Sequence, residues 1–286
     1  MERNKRDTPG QFTAMKTMKL YDQVERINNE LEALGLGADA PLKVEDLTAF
    51  DQYHYLGTSA VDHAIEALGI DASSCVLEIG SGIGGPARYV AQRTGAHVSA
   101  LELQSDLHRT AERLTRRCGL SGRISQRCGN ILDGVPEGSP FDAILSFLVF
   151  LHIPERDRLF DVCRRSLKQD RSMFIEDFVL RQVPSVDERH ALKIKVLCPY
   201  LPDAETYRSH LREAGFAVER FEDMTESWKD FTAERLHAFR ANRSRNLTIH
   251  GEAITDGLDD FYSTVAGLFE RGVLGGARIL ARRTRA

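Results

Sequence analysis

The sequence predicts an α/β fold: a seven-stranded, mostly parallel sheet with helices on both faces, plus an N-terminal helical segment and a helical cap. Three observations predict it. Short apolar runs that read as buried strands alternate with amphipathic runs that read as helices. The first of these strands runs into Gly80-Ser81-Gly82-Ile83-Gly84-Gly85, and a helix opens at Pro86. Helical runs close on glycine, as at Gly95 and Gly215.

Taken in order, residues 1–10 are polar and read as disordered. From Gln11 to Leu34, apolar Leu20, Val24, Ile27, Leu31 and Leu34 recur at helical spacing and make one stripe. That stripe suits packing on its own domain or a dimer seam. Val61, Ile65 and Leu68 predict a helix over 59–69. Cys75–Ile79 reads as a buried strand, and a helix over 86–93 follows, with proline in the first turn where no N–H is needed. His97–Leu103 is a predicted strand and Ser105–Cys118 a helix with Leu107, Ala111 and Leu114 on one face. Strands over 123–127 and 141–147, a helix over 154–167, a strand over 172–180, an Asp203-capped helix over 203–214, and strands over 217–221 and 277–281 complete the alternation. The boundaries expected are 1–56 for the helical segment and a flap, and 57–286 for the main domain. Two stretches break the pattern: the long connection 181–202, and 225–275 with helical periods around Trp228–Arg240 and Leu258–Arg271. Long connections in compact domains serve as lids or binding elements, so both are assigned to a cap over the ligand cleft.

Composition narrows the class. A formal net charge of -4 argues against a nucleic-acid partner, which calls for a basic footprint. Arg282, Arg283 and Arg285 read as a solvated tail. The five cysteines are scattered without metal-ligand spacing, so no metal is expected and the thiols are read as reduced, in a cytoplasmic protein. The longest apolar run, Ala143–Ile153, is too short to span a bilayer, so no membrane partner is expected. A small-molecule substrate and a monomeric or homodimeric state remain.

The glycine stretch is the chemical centre. Gly80, Gly82 and Gly85 satisfy G-x-G-x-x-G, which by itself fits a dinucleotide. Glu78, two residues before the first glycine, would oppose a pyrophosphate but suits a ligand carrying an ammonium and a sulfonium. Pro86 removes an N–H that a pyrophosphate site would use. Glu102, 22 residues after Gly80, can accept hydrogen bonds from ribose hydroxyls of either nucleotide.

At this point the chain resembles a known family. Val76–Pro86 with Ala87-Arg88 is similar to motif I of the class I S-adenosylmethionine-dependent methyltransferases, small-molecule type, such as the glycine/sarcosine/dimethylglycine, phosphoethanolamine and tocopherol enzymes. The similarity runs over about 51–180 and resumes at 198–202 and 275–278. It implies a Rossmann-like fold and S-adenosylmethionine as cofactor, leaving as S-adenosylhomocysteine. It implies that Glu78, Gly80, Ser81 and Gly82 border the methionine part, that Glu102, Leu103 and Gln104 hold the ribose and adenine, and that Asn130, Ile131 and Phe147 complete the pocket. Asn130 departs from the aspartate usual there; its amide oxygen still accepts.

The acceptor side is read from Phe147-Leu148-Val149-Phe150-Leu151-His152, which leaves the fourth strand where open α/β sheets bind ligands. Amine-methylating relatives often carry Gln-Asp where this chain has Phe147-Leu148, which suggests a more apolar pocket. His152 is the candidate base or orienting residue; the alternative is a histidine bonded beneath the next helix. Asp51–Gly57 reads as a flap, with Tyr55 at the cofactor as a catalytic or binding residue and Tyr53 at the substrate. Phe150, Cys198, Tyr200 and Trp228 are the remaining substrate candidates, each also readable as core. The expected reaction is methyl transfer to a small molecule, an amine first, with O-, S- or C-acceptors as alternatives. The rivals are an NAD(P)-dependent oxidoreductase, a non-catalytic binding protein of the same fold, and a protein or RNA methyltransferase.

Overall fold

The computed structural model describes residues 24–285. The expected helical stretch from Gln11 to residue 23 lies outside them. Seven strands form one sheet: β1 (Cys75–Ile79), β2 (His97–Glu102), β3 (Ile124–Cys128), β4 (Phe141–Phe147), β5 (Leu167–Leu180), β6 (Phe216–Asp223) and β7 (Leu274–Arg283). Their order is β3-β2-β1-β4-β5-β7-β6. The first five run parallel, and β7 is antiparallel to both β5 and β6.

The helices are α1 (Glu25–Ala33), α2 (Gly57–Leu68), α3 (Gly85–Thr94), α4 (Ser105–Arg117), α5 (Arg156–Ser166), α6 (Val186–Ile194), α7 (Ala204–Glu213), α8 (Thr225–Ala241), α9 (Arg243–His250) and α10 (Glu252–Glu270). Side chains alternate across the sheet, and both faces are covered. Leu77 and Ile79 of β1 and Ile144 of β4 turn toward Leu159, Phe160 and Cys163 of α5 and Tyr207 of α7. Val76, Ala143 and Leu145 turn the other way, toward Ala60, Val61 and Ala64 of α2 and Ala87 and Val90 of α3. This is why the strands read as nearly continuous apolar runs.

The stripe of α1 is buried within its own chain: Ile27 and Leu31 pack with Leu107 and Leu114 of α4 and with Ile83 of the glycine loop. Helices α8 and α10 share a core with Tyr55 and Phe178, in which Trp228, Leu258, Val265, Leu268 and Phe269 are buried. No described helix is long and apolar enough to cross a membrane.

Several boundaries move. β5 starts at Leu167 rather than at 172, because Lys168–Arg171 are polar and exposed and carry no strand signal. β7 runs to Arg283, so the arginines read as a solvated tail belong largely to a strand: Arg282 pairs with Glu219 at 2.5 Å and Arg285 with Asp170 at 2.9 Å. Within 181–202 stands α6, opened by a capping box in which Ser185 and Glu188 exchange bonds. Between the two expected cap helices stands α9. Each of these helices buries a single residue, Leu192 and Asn246, and so has no apolar stripe to reveal it.

The seam between β7 and α8 is closed on glycine. A Cβ on Gly276 would stand 2.2 Å from Trp228 Cε3, and Trp228 is fully buried. Gly276→Ala is expected to lower stability by about 1–3 kcal/mol through overpacking. Denaturant unfolding followed by the fluorescence of Trp228, the only tryptophan in the sequence, checks it; an unchanged midpoint would show that the seam relaxes without cost.

Candidate functional site

A cleft of about 1110 Å³, partly open to solvent, lies beyond the carboxyl ends of β1, β2 and β4. Its floor is the turn after β1. Gly80, Gly82 and Gly84 have φ of 73°, 54° and 81°, the left-handed region that favours glycine. A Cβ on Gly80 would also stand 2.3 Å from Val149 Cγ2, whereas one on Gly82 would meet only the Tyr53 ring, at 3.9 Å, and would point into the cleft.

Glu102, the last residue of β2, holds this turn. Its Oε2 accepts from the Gly82 N–H and its Oε1 from the Gln104 N–H, both at 2.8 Å. A carboxylate oxygen has two lone pairs, so each keeps one for a ligand hydroxyl. Glu78 is buried beneath the same turn. Burial raises its carboxyl to about 8; Arg88 pulls it down and Glu102 pushes it up. Its Oε2, the Ser81 hydroxyl oxygen and the Gln104 Oε1 are sealed from solvent without a hydrogen-bond partner. Three unpartnered oxygens around one cleft, of which the Gln104 Oε1 can only accept, call for a donor-bearing ligand. An ammonium and a ribose supply such donors, so the residues present fit the cofactor that the motif implies.

The flap is fastened to the turn by a buried ion pair. Arg88 of α3 bonds Asp51 Oδ2 at 2.9 Å and the Ile83 carbonyl at 2.7 Å. Asp51 and Arg88 side chains are both fully buried. Beyond Asp51, Tyr53 and His54 line the cleft, and the His54 ring stacks on Phe147 at 4.6 Å. Burial lowers His54 to about 4.

The acceptor end is shaped by the segment after β4. Leu148 takes φ 55° and donates its N–H to the Glu176 carbonyl at 2.8 Å. Phe150–His152 form one 3-10 turn. Asp177, buried near the carboxyl end of β5, accepts the Leu151 N–H at 3.1 Å and the Tyr207 O–H at 3.0 Å and faces Arg156 at 3.3 Å. His152 donates from Nδ1 to the Leu197 carbonyl at 2.8 Å, which makes Nε2 the acceptor nitrogen of the neutral ring. Burial lowers His152 to about 4.

The cleft brings together Glu78, Gly80, Ser81 and Gly82; Glu102, Leu103 and Gln104; Asn130, Ile131 and Phe147; and Tyr53 with His152. Asn130 also caps the turn that follows it, its Oδ1 accepting from the Leu132 N–H at 3.0 Å.

Five expected residues stand elsewhere. Tyr55, expected at the cofactor, is turned into the α8/α10 core, edge-on to Trp228 at 5.0 Å, because its ring finds more apolar surface there. Trp228 is part of that same core. Phe150 points inward onto Phe160. Cys198 is buried beside Arg156 and Asp177, and Tyr200 bonds His210 at 2.8 Å. No residue of 181–202 or 225–275 lines the cleft.

The sequence reading missed His54, Leu148, Val149, Ile153 and Glu155, which do line it. His54 adjoins Tyr53 in the flap, and the two line the cleft together while Tyr55 faces the core.

Comparison with known proteins agrees with this geometry. Residues 76–170 match a family model described as a methyltransferase domain. The chain is 29% identical over 157 residues, 55% of its length, to the glycine/sarcosine/dimethylglycine N-methyltransferase of Actinopolyspora halophila. It is 27% identical over 192 residues, 67% of its length, to phosphoethanolamine N-methyltransferase 1 of Zea mays. It spans only 28% and 38% of those two proteins. Among solved structures, phosphoethanolamine N-methyltransferase 2 of Haemonchus contortus, in complex with phosphomonomethylethanolamine and S-adenosylhomocysteine, superposes with a TM-score of 0.73 at 19% identity, covering 92% of this chain and 61% of that one. Residues 76–170 thus carry a methyltransferase domain, and the glycine turn, strand order and sequence similarity are those of the class I S-adenosylmethionine-dependent methyltransferases.

Proposed function

We propose that the chain methylates a small molecule, an amine in the first instance, with S-adenosylmethionine as donor. The observation that carries this reading is the pair of buried acids, Glu78 and Glu102, on either side of an open glycine turn. The bound sulfonium supplies an already activated methyl group. The residues of this chain then have to orient the partners and keep water out, effects worth up to roughly 7–11 kcal/mol in well-oriented systems.

His152 and Phe147 lie where the fourth strand opens into the cleft. His152, near 4, stays neutral at physiological pH and is a weak base. Its role is therefore to orient the acceptor rather than to take its proton, and the acceptor must arrive with its lone pair free. The apolar surroundings of Phe147, Leu148, Val149 and Ile153 favour that unprotonated form of an amine. The two relatives above are named as N-methyltransferases, which supports the amine. The apolar lining also suits a neutral O-, S- or C-acceptor, and that is the alternative. A metabolite screen with labelled methyl donor separates the two.

Three variants test the site. Gly82→Val forces a β-branched residue to φ 54° and fills the approach surface. It is expected to abolish S-adenosylhomocysteine binding in calorimetry while the circular dichroism of the fold persists. Retained binding would place the ligand elsewhere.

For Glu78 the sign follows from its raised carboxyl. Below about pH 8 it holds a proton, which a cationic ligand must displace. Donor affinity is thus expected to rise with pH between 6 and 8 and level off above, with proton release visible in buffers of different ionisation enthalpy. Glu78→Gln should bind more weakly and lose this slope; a wild-type affinity flat across that range would refute the assignment.

His152→Ala is expected to slow turnover by about 10–100-fold with donor affinity kept. The wild-type rate should show no inflection between pH 6 and 7 from this residue. An unaffected rate in the alanine variant would reduce His152 to a structural role.

A further inference from the structure

A second group of side chains, next to the cleft, bears on the acceptor. Arg26 of α1 and Arg235 of α8 converge on Tyr262 of α10. The Arg235 guanidinium carbon stands 4.4 Å over the Tyr262 ring, 5.0 Å over Tyr55 and 5.5 Å over Phe231. Arg26 hydrogen-bonds the hydroxyl of Tyr262 and is within electrostatic reach of Tyr53. Tyr53 is the bridge to the cleft, which it lines within reach of Gly82.

Among the described residues the group is rich in donors and holds no acid of its own. Nε and Nη1 of Arg26 and Nε of Arg235 are sealed from solvent and have no hydrogen-bond partner. Glu30, the carboxylate that acts on Arg26, is already bonded to Arg245 at 2.7 Å and His250 at 3.0 Å. Asp51, which acts on Tyr53, is committed to Arg88. Aromatic faces relieve part of a guanidinium's desolvation, but they supply no hydrogen-bond acceptor to its unmet N–H groups. Two cations from elements far apart in the sequence thus meet on the same side chain, Tyr262.

We propose that Arg26 and Arg235, with the hydroxyls of Tyr53 and Tyr262, form a subsite for an anionic group of the acceptor, a carboxylate or phosphate. The subsite rests on the methyltransferase reading, since it positions the acceptor beside the donor cleft. It gives the N-terminal helix and the helices between β6 and β7 a common task, although neither lines the donor cleft. An acceptor with its anion here and its nucleophile at Phe147–His152 would be gripped at both ends.

The test uses the full chain saturated with S-adenosylhomocysteine. Inorganic phosphate and, separately, acetate are titrated at constant ionic strength against a chloride control, with calorimetry and thermal shift as readouts. Saturable binding of one of them, about tenfold or more tighter than chloride, is expected; phosphate or acetate as the tighter probe identifies the group. Arg26→Gln and Arg235→Gln should each weaken that binding about tenfold or more, a factor equivalent to about 1.4 kcal/mol, with S-adenosylhomocysteine affinity retained. Arg26→Lys and Arg235→Lys, which keep the charge, should retain most of it and serve if a glutamine variant does not fold. Phosphate and acetate no better than chloride in the wild type, or folded glutamine variants that bind as the wild type does, would overturn the subsite. Failure of S-adenosylhomocysteine to bind the wild type would instead remove the reading beneath it.

Discussion

A carboxylate at the end of one strand holds open the glycine turn at the end of its neighbour. Glu102 takes the Gly82 N–H on one oxygen and the Gln104 N–H on the other, so β1 and β2 are tied at the point where the ligand must enter. The turn needs this support. Three left-handed residues in five give a chain with few internal bonds, and glycine loses more conformational freedom on ordering than any other residue. Gly80 and Ser81 both donate to the Leu101 carbonyl, at 2.8 and 3.0 Å, which completes the clamp. The cleft floor and the flap are positioned against this turn.

The flap follows from it. Arg88 sits on the first turn of α3, reaches back to the Ile83 carbonyl and takes Asp51 in a pair sealed from water. Gly85 lets the Asp51 carbonyl approach, since a Cβ there would stand 2.3 Å from it. A buried pair of this kind is weak evidence for net stability, because desolvation offsets much of the attraction, but removing one partner strands the other charge. Its consequence here is geometric: Tyr53 and His54 are delivered to the cleft by the same helix that carries the glycine turn. The far wall has a comparable anchor in Asp177, which fixes the backbone of Leu151 and so the turn that bears His152.

The legible parts of the molecule were those with a period. Strands β1 to β4 and helices α3, α4 and α5 announce themselves by apolar runs and by glycine and proline at their ends. The seventh strand was found, though shortened, because its apolar part ends at Ala281 while the ladder with β5 continues through Arg282. Helices α6 and α9 carry no stripe and were not found. At the site, the residues fixed by backbone geometry were readable: the glycines, the acid before them and the acid closing β2. Residues whose role depends on which way a ring turns were not. Tyr55 and Phe150 carry the same apolar character whether they face the ligand or the core, and only the packing of α8, α10 and α5 decides. Arg26 and Arg235 lie 209 positions apart, so no local pattern joins them.

The burial of Glu78 changes the argument that its presence first suggests. An exposed acid before the glycine turn would repel a diphosphate by simple charge. With its carboxyl raised to about 8, Glu78 is mostly neutral at pH 7, and that repulsion largely disappears. What replaces it is a linkage. Glu78 and Glu102 share one low-dielectric cleft, and each raises the cost of ionising the other. A diphosphate would add negative charge and hold Glu78 protonated. A ligand bearing an ammonium and a sulfonium lets Glu78 ionise and supplies a donor to the Oε2 that the protein alone leaves without a partner. The preference for a cationic donor therefore lies in the difference between two protonation states of the same site, which a strand-and-glycine motif cannot display and a buried carboxyl can.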